Sequence, residues 1–110
     1  MSPVPPLGEL EQLVLLAIIR LGDDAYGVTV RREIERRAGR AVSLGSVYST
    51  LMRLEEKGLV DSRVGEPTPE RGGRRKRHYT ILAAGRRAVA QSLRSLRRMS
   101  SGLDAAWERP

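Results

Sequence analysis

The sequence predicts a mainly α-helical fold (α+β) with one small β-hairpin and a long final helix. Before the first strand, three segments space their apolar residues three or four apart, as one face of a helix requires. Two short segments, 59–64 and 74–81, favour strands and flank a loop that holds two prolines and two glycines. From Leu82 onward the helical spacing resumes. The 110 residues therefore divide into a compact unit over 1–81 and a helix over 82–110.

The first two predicted helices are joined by a short acidic turn. The first, over about 8–20, has its apolar face at Leu10, Leu13, Val14, Ala17 and Leu21. It is expected to end near Gly22. The second helix is expected to begin after Asp23 or Asp24, because either carboxylate can accept the free amide hydrogens of a first helical turn. Gly39, which tolerates the left-handed conformation, is expected to end it.

The third predicted helix, residues 44–57, has two distinct faces. Ser43 is placed to cap its N-terminus, and Gly58 follows its end. At about 100° per residue, an apolar face separates from a hydroxylated one. The apolar face holds Leu44, Val47, Leu51 and Leu54. The opposite face holds Ser46, Ser49, Thr50 and Arg53, with Tyr48 on its flank.

The hydroxylated face predicts contact with DNA. A solvated helix face usually carries long charged side chains in pairs four residues apart, and Ser and Thr are indifferent helix formers. They do let a helix approach a groove closely, and their hydroxyls bond phosphates or base edges. Arg53 can reach a phosphate or a guanine edge. The alternative, an ordinary soft surface, is less favoured because a basic hairpin follows in the sequence.

Basic residues concentrate in that hairpin. The formal net charge is +7, and residues 61–110 carry twelve basic and five acidic side chains. Strand alternation directs Tyr79 and Ile81 to one side, where they are expected to pack on the core. A focused positive patch favours a polyanion, with nucleic acid ahead of an anionic membrane surface. The densest run is Arg74, Arg75, Lys76 and Arg77.

Three helices followed by a two-stranded hairpin is the element order of a winged helix-turn-helix. In that arrangement the third helix enters the DNA major groove, and the hairpin, or wing, grips the phosphate backbone. The expected partner is therefore double-stranded DNA. The predicted DNA-binding residues are Ser43, Ser46, Tyr48, Ser49, Thr50, Arg53, Arg74, Arg75, Lys76 and Arg77.

The last predicted helix, residues 82–107, has an apolar stripe that one small domain cannot cover. A helix of about 25 residues extends roughly 37 Å. If its apolar stripe were exposed to solvent, the protein would carry a contiguous apolar patch. Burial against a second chain predicts a C-terminal dimerisation helix and a homodimer; the alternative is that the helix folds back on its own domain. Trp107 either lines a pocket at the dimer interface or only packs there. The predicted interface residues are Leu13, Val89, Leu93, Leu96, Met99, Leu103 and Trp107.

Other functional classes find little support in the sequence. There is no cysteine and His78 is the only histidine, so no metal site built from these ligands and no cofactor is expected. No catalytic triad, phosphate-binding glycine loop or carboxylate pair in an apolar setting indicates an enzyme. The longest apolar run, 13–19, is too short for a bilayer, and no signal peptide is evident, which predicts no membrane partner and a cytoplasmic location. The main alternative is a winged helix that binds RNA or protein, although the stacking aromatics of an RNA platform are missing.

Three stretches together resemble the PadR family of bacterial transcriptional regulators: LGELEQLVLLAIIRLGDDAYGVTVRREIE (7–35), GSVYSTLMRLEEKGLV (45–60) and RRKRHYTILAAGRRAV (74–89). The resemblance implies a dimeric winged helix-turn-helix repressor on a palindromic operator, with one long C-terminal helix for dimerisation. It also implies release either by a small hydrophobic effector or by changes in abundance alone. Ser49 stands where the family usually has proline, which affects the expected operator preference. Leu82 stands where threonine is common, which removes a hydroxyl cap from the last helix.

Overall fold

The computed structural model describes residues 6–65 and 76–108. Arg74, Arg75 and the predicted loop over 66–73 lie outside the described residues. Within those ranges the predicted fold class, helical with an antiparallel hairpin, is confirmed. The elements are α1 (Glu9–Leu21), a 3₁₀ turn (Gly22–Asp24), α2 (Gly27–Ala38), α3 (Leu44–Glu56), β1 (Val60–Val64), β2 (Arg77–Ile81), α4 (Ala83–Ser100) and α5 (Asp104–Glu108).

The start of α2 differs from the prediction. Neither Asp23 nor Asp24 caps the helix, because both belong to the 3₁₀ turn and the chain stays extended through Tyr26. Thr29 closes the first turn instead: its Oγ1 accepts a hydrogen bond from the Tyr26 amide at 3.0 Å and donates to the Asp24 carbonyl at 2.5 Å. The other end follows the prediction, since Gly39 adopts the left-handed conformation with φ 67°.

The predicted ends of α3 are confirmed. Ser43 Oγ accepts a hydrogen bond from the Ser46 amide at 3.0 Å, which satisfies a donor that the helix itself leaves free. Gly58 follows the last turn with φ 74°, a conformation that other residues rarely adopt. The chain then turns directly into β1.

The hairpin is tied to the helices as well as to itself. Its strands pair from Val60 with Ile81 to Val64 with Arg77. The Tyr79 amide donates to the Ala25 carbonyl at 2.8 Å, which attaches β2 to the residues before α2. Tyr79 and Ile81 are buried as predicted, and they join the core.

The core lies between the three N-terminal helices and is closed by β1, β2 and the first turns of α4. Its most deeply buried side chains come from α1, α2, α3 and β1, and include Leu15, Val30, Leu51, Leu54 and Val60. Gly85 lets α4 approach closely, because a Cβ there would lie 2.2 Å from the Leu59 carbonyl oxygen. No helix among the described residues is long and apolar enough to cross a membrane.

The predicted uninterrupted helix over 82–107 is wrong. α4 ends at Ser100, and a short turn separates it from α5. Ser101 has ψ 129° and Gly102 has φ 80°, and neither angle fits an α-helix. Apolar spacing continues through the turn, which is why the sequence pattern alone did not reveal the break.

Candidate nucleic-acid interface

The outer face of α3 carries small hydroxylated residues and one arginine. Ser46, Ser49 and Arg53 are exposed, while Val47 and Leu51 on the opposite side are fully buried. The Ser43 hydroxyl donates to Ser46 Oγ at 2.8 Å, so the Ser46 hydroxyl keeps its own proton for an outside acceptor. The first three turns of α3 contain no acidic residue. This face can therefore approach a polyanion without charge repulsion from its own helix.

Thr50 does not belong to this face, and its prediction as a DNA-binding residue is wrong. Its side chain is 0% exposed. Its Oγ1 donates to the Ser46 carbonyl at 2.8 Å, a bond within the same helix. Thr50 lies three residues after Val47 and four before Leu54, so it falls on the edge of the stripe that packs on α1 and α2. Its hydroxyl is satisfied locally, which allows a polar residue to take a buried position.

The end of α3 is anchored by Glu11, which is not among the predicted site residues. This buried carboxylate accepts hydrogen bonds from Lys57 Nζ at 2.6 Å and from the Gly8 amide at 2.8 Å. Arg53 Nε lies 3.9 Å from the same carboxylate. Burial alone raises the pKa of Glu11, but the hydrogen bonds from Lys57 and Gly8 outweigh burial, so the net pKa is below its ordinary value.

A signal for Glu11 exists in the sequence. Glu11 is spaced three, four and seven residues from Val14, Leu15 and Ile18, all of which are buried. A carboxylate on a buried stripe requires a cationic partner. The partner, Lys57, is 46 residues away, and spacing along the chain does not reveal it.

Tyr48 lies against the first turn of α2. A Cβ built on Gly27 would come within 2.3 Å of the Tyr48 ring, so the ring occupies the space that any other residue would fill. Tyr48 is nevertheless 44% exposed. Gly27 therefore fixes where this partly exposed aromatic ring lies on the surface.

The distal end of the described hairpin places Lys76 beside the same turn of α2. Lys76 Nζ donates to the Tyr26 hydroxyl at 3.3 Å and lies 4.6 Å from the centre of its ring. His78 packs edge-on against Tyr26, with ring centres 5.4 Å apart. Lys76 contacts Tyr26, and the Tyr48 ring lies against Gly27, which is the next residue in the chain. Lys76 and Tyr48 therefore meet adjacent residues at the start of α2.

Arg77 connects the wing to the end of α3. Its Nη1 donates to Ser62 Oγ at 3.0 Å, and Ser62 Oγ donates to Glu55 at 2.7 Å. Arg77 is exposed, so its remaining guanidinium donors face solvent. No group of residues suited to hold a metal ion occurs in the described part of the chain.

The apolar stripe of α4 divides into a buried half and an exposed half. Val89 is only 3% exposed and belongs to the core of its own domain, so its prediction as a dimer-interface residue is wrong. The helix packs on α1 over its first turns, as the fold-back alternative required. Leu93 and Leu13 are partly buried against the core. The remaining stripe residues stay exposed: Leu96, Met99, Leu103 and Trp107.

A protein-family model described as the transcriptional regulator PadR-like family matches residues 15–91. The chain belongs to the PadR family. The resemblance carried by the three sequence stretches is thereby confirmed, and so is the prediction of a transcriptional regulator rather than an enzyme.

Two relatives place this PadR family member among proteins of different length. Rv3488, a transcriptional regulator of Mycobacterium tuberculosis, is 34% identical over 80 residues, which cover 71% of this chain and 68% of the relative. An uncharacterised 37.1 kDa protein in a Streptomyces fradiae transposon is 32% identical over 87 residues. That match covers 78% of this chain but only 23% of the transposon protein.

Solved PadR structures share the winged-helix fold. A PadR family transcription regulator from Clostridium difficile superposes with a TM-score of 0.73 at 22% identity, covering 91% of this chain and 99% of that one. Bacillus subtilis PadR, solved in complex with operator DNA, superposes with a TM-score of 0.63 at 20% identity. That superposition covers 76% of this chain and 47% of that one.

Proposed function

We propose that this PadR family regulator is a sequence-specific repressor that binds double-stranded DNA as a homodimer on a palindromic operator. The observation that carries the proposal is the outer face of α3, where small hydroxyl groups and Arg53 are exposed, the first three turns carry no acidic residue, and the opposite face is buried. Such a face fits the major groove, where hydroxyls and arginine bond base edges.

In this proposal α3 reads the bases. Ser46, Ser49 and Arg53 contact base edges, and Ser43 contacts a phosphate near the helix N-terminus, where the helix dipole favours an anion. Tyr48, held against Gly27, adds a hydroxyl at the edge of the groove. Thr50 supports this surface from inside and makes no DNA contact.

The wing holds the phosphate backbone. Lys76, beside Tyr26, and Arg77, beside Ser62, lie at the distal end of the described hairpin, and Arg74 and Arg75 continue the basic run in the sequence. Contacts to phosphate position a protein on the duplex without selecting sequence. We therefore assign α3 to sequence recognition and the wing to affinity.

The exposed half of the apolar stripe supports the proposed dimer. Leu96 and Met99 are 57% and 78% exposed on an otherwise basic helix, and Leu103 and Trp107 continue the apolar side into α5. A second copy that covers these residues, together with Leu93 and Leu13, removes an apolar patch from water. A two-fold dimer also places two copies of α3 about one DNA turn apart, which matches a palindromic site.

The complex of Bacillus subtilis PadR with operator DNA supports the same partner for this chain, since the two share the fold. Release is proposed to follow either from a small hydrophobic effector at the dimer interface or from changes in abundance. Titration of the protein–DNA complex with aromatic compounds distinguishes these routes: dissociation that saturates with one compound supports an effector.

The proposal is tested by fluorescence anisotropy with duplexes from the promoter region of the protein's own gene. The expected result is saturable binding that is much tighter than to a shuffled duplex of equal length. The logarithm of affinity should fall with the logarithm of salt with a slope of roughly −0.9 per neutralised phosphate. Equal affinity for both duplexes, or binding indifferent to salt, contradicts a sequence-specific regulator.

A further inference from the structure

A groove of about 310 Å³ lies between α1 and α2, and the partly buried Leu13 is among its lining residues. Its floor is apolar, with Leu16, Ala17 and Ile34 among its residues. Arg20 and Arg37 stand at its rim. Arg20 is exposed and forms no ion pair with any residue that the structure describes, while Arg37 pairs with Glu33, which Arg36 also neutralises. The groove therefore joins an apolar floor to a net positive rim.

The segment after α4 has the complementary chemistry. Leu103 and Trp107 are four residues apart, and so are Asp104 and Glu108, so α5 sets an apolar side next to an acidic side. These two carboxylates are the only acidic residues of the sequence after Glu70. All residues over 101–108 are exposed, and neither carboxylate forms an ion pair within the described ranges.

Because the helix breaks before α5, α5 does not continue along the axis of α4. The Leu103 amide donates to the Ser100 carbonyl at 3.1 Å, and Gly102 takes the left-handed conformation that turns the chain. A continuous helix would carry Trp107 straight along the axis of α4. The turn instead presents α5 as a separate element at the end of the proposed dimer stripe.

We propose that α5 of one copy docks into the α1–α2 groove of the second copy, with the Trp107 indole on the apolar floor and the α5 carboxylates beside Arg20 and Arg37. This inference rests on the homodimer of the proposed function. Leu13 belongs both to the groove and to the predicted dimer interface, so the docked α5 extends a contact that the α4 stripe begins. Each copy thus clasps the helices that support α3 of the other.

Charge complementarity favours this occupant over α5 lying free. Residues 83–100 carry five arginines and no acidic side chain, so a basic helix ends in an acidic tip. The tip precedes Arg109, which lies outside the described residues. Opposite charges steer the two surfaces together, and burial of a tryptophan in an apolar recess is the kind of contact that dominates the affinity of an interface.

Trp107 is the only tryptophan in the chain, so tryptophan fluorescence reports on the surroundings of this one side chain. The full-length protein is measured by sedimentation to establish the dimer, and at the same concentration by acrylamide quenching of Trp107. In the dimer, the expected result is blue-shifted Trp107 emission that acrylamide quenches slowly. After dilution to monomer, the emission should shift to longer wavelength and acrylamide should quench it faster. Trp107→Ala should weaken dimerisation by about tenfold or more.

A groove variant and a mixing experiment assign the contact to the second copy. Arg20→Glu with Ala38→Glu changes two exposed groove residues without touching the core, and should make Trp107 accessible to acrylamide. Mixing this variant with a Trp107→Phe chain, whose groove is intact, should protect the indole again. Asp104→Lys with Glu108→Lys should expose Trp107 in the otherwise unchanged chain.

The outcomes separate this inference from the proposed function. A dimer that binds DNA but leaves Trp107 fully accessible overturns the docking of α5 and leaves the proposed function standing. A different result is that Trp107 is protected in the wild-type dimer while the groove variant's Trp107 stays accessible to acrylamide after mixing. That result overturns docking on a second copy and shows that α5 uses the groove of its own chain. A protein that stays monomeric at every concentration overturns both.

Discussion

At the scale of single residues, Glu11 ties the end of α3 to the start of α1. Its carboxylate joins the start of α1 to the end of α3 through Lys57, and it also faces Arg53. Breaking a pair of which one member is buried leaves the remaining charge without a partner. The position of Arg53, a proposed base contact, therefore depends on a residue that does not touch DNA.

We expect Glu11→Gln to lower the free energy of unfolding by about 1–2 kcal/mol at pH 7. The pKa of Glu11 is lower in the folded chain than its ordinary value of 4.5, so its contribution is present above that value and is lost as the pH falls through the folded-state pKa. Urea unfolding of both proteins across this pH range measures the difference. A gap between wild type and variant that stays constant below pH 4.5 contradicts the assignment.

Gly27 acts through Tyr48. Gly27→Ala should push the Tyr48 ring outward, and because the ring is partly exposed the free energy of unfolding should fall by no more than about 1 kcal/mol. DNA affinity should fall by about tenfold, measured by anisotropy. In a Tyr48→Ala background the same change should have no further effect. An equal loss in both backgrounds shows that Gly27 does not act through Tyr48.

At the scale of elements, substitutions in α3 and in the wing are expected to affect DNA binding in different ways. Ser49→Ala and Arg53→Ala should change the ranking of operator variants, each lost base contact weakening binding by about 1–3 kcal/mol. Lys76→Ala and Arg77→Ala should weaken binding to all duplexes and reduce the salt slope by about 0.9 per lost phosphate contact. Titrations of a panel of duplexes at several salt concentrations test both expectations. A uniform loss in both sets contradicts α3 as the reading element.

Sequence patterns predicted the elements well where local chemistry decides them. The ends of α3 follow from Ser43 and Gly58, and the inward positions of Tyr79 and Ile81 follow from strand alternation. The misses arise from tertiary contacts. Thr50 is buried because α1 and α2 cover more than the apolar arc, and Val89 is buried because Gly85 brings α4 against the domain.

The site was predictable only in part for the same reason. The exposed Ser46, Ser49 and Arg53 are visible as a face of one helix. The Glu11–Lys57 pair and the Tyr48–Gly27 contact each join elements that are distant in sequence. Spacing within a helix carries no information about such pairs.

At the scale of the whole molecule, the exposed end of the α4 stripe governs assembly. Leu96→Asp with Met99→Asp should give a folded monomer, because both residues are exposed and lie beyond the core contacts of Val89. Sedimentation should show the monomer, and operator affinity should fall strongly although no proposed DNA contact has changed. As a control, Arg94→Asp with Arg98→Asp alters other faces of the same helix and should leave the dimer intact. If the Leu96→Asp, Met99→Asp variant still sediments as a dimer, the exposed stripe of α4 is not part of the dimer interface.

Selection from a pool of random duplexes tests the central claim most directly, because it examines sequence recognition and dimer symmetry in one measurement. A dimer that presents two copies of α3 should enrich an inverted repeat whose half-sites are centred about 10 base pairs apart, or a multiple of that spacing. Enrichment of an unrepeated motif, or no enrichment over the starting pool, would contradict a dimeric regulator that reads DNA through α3.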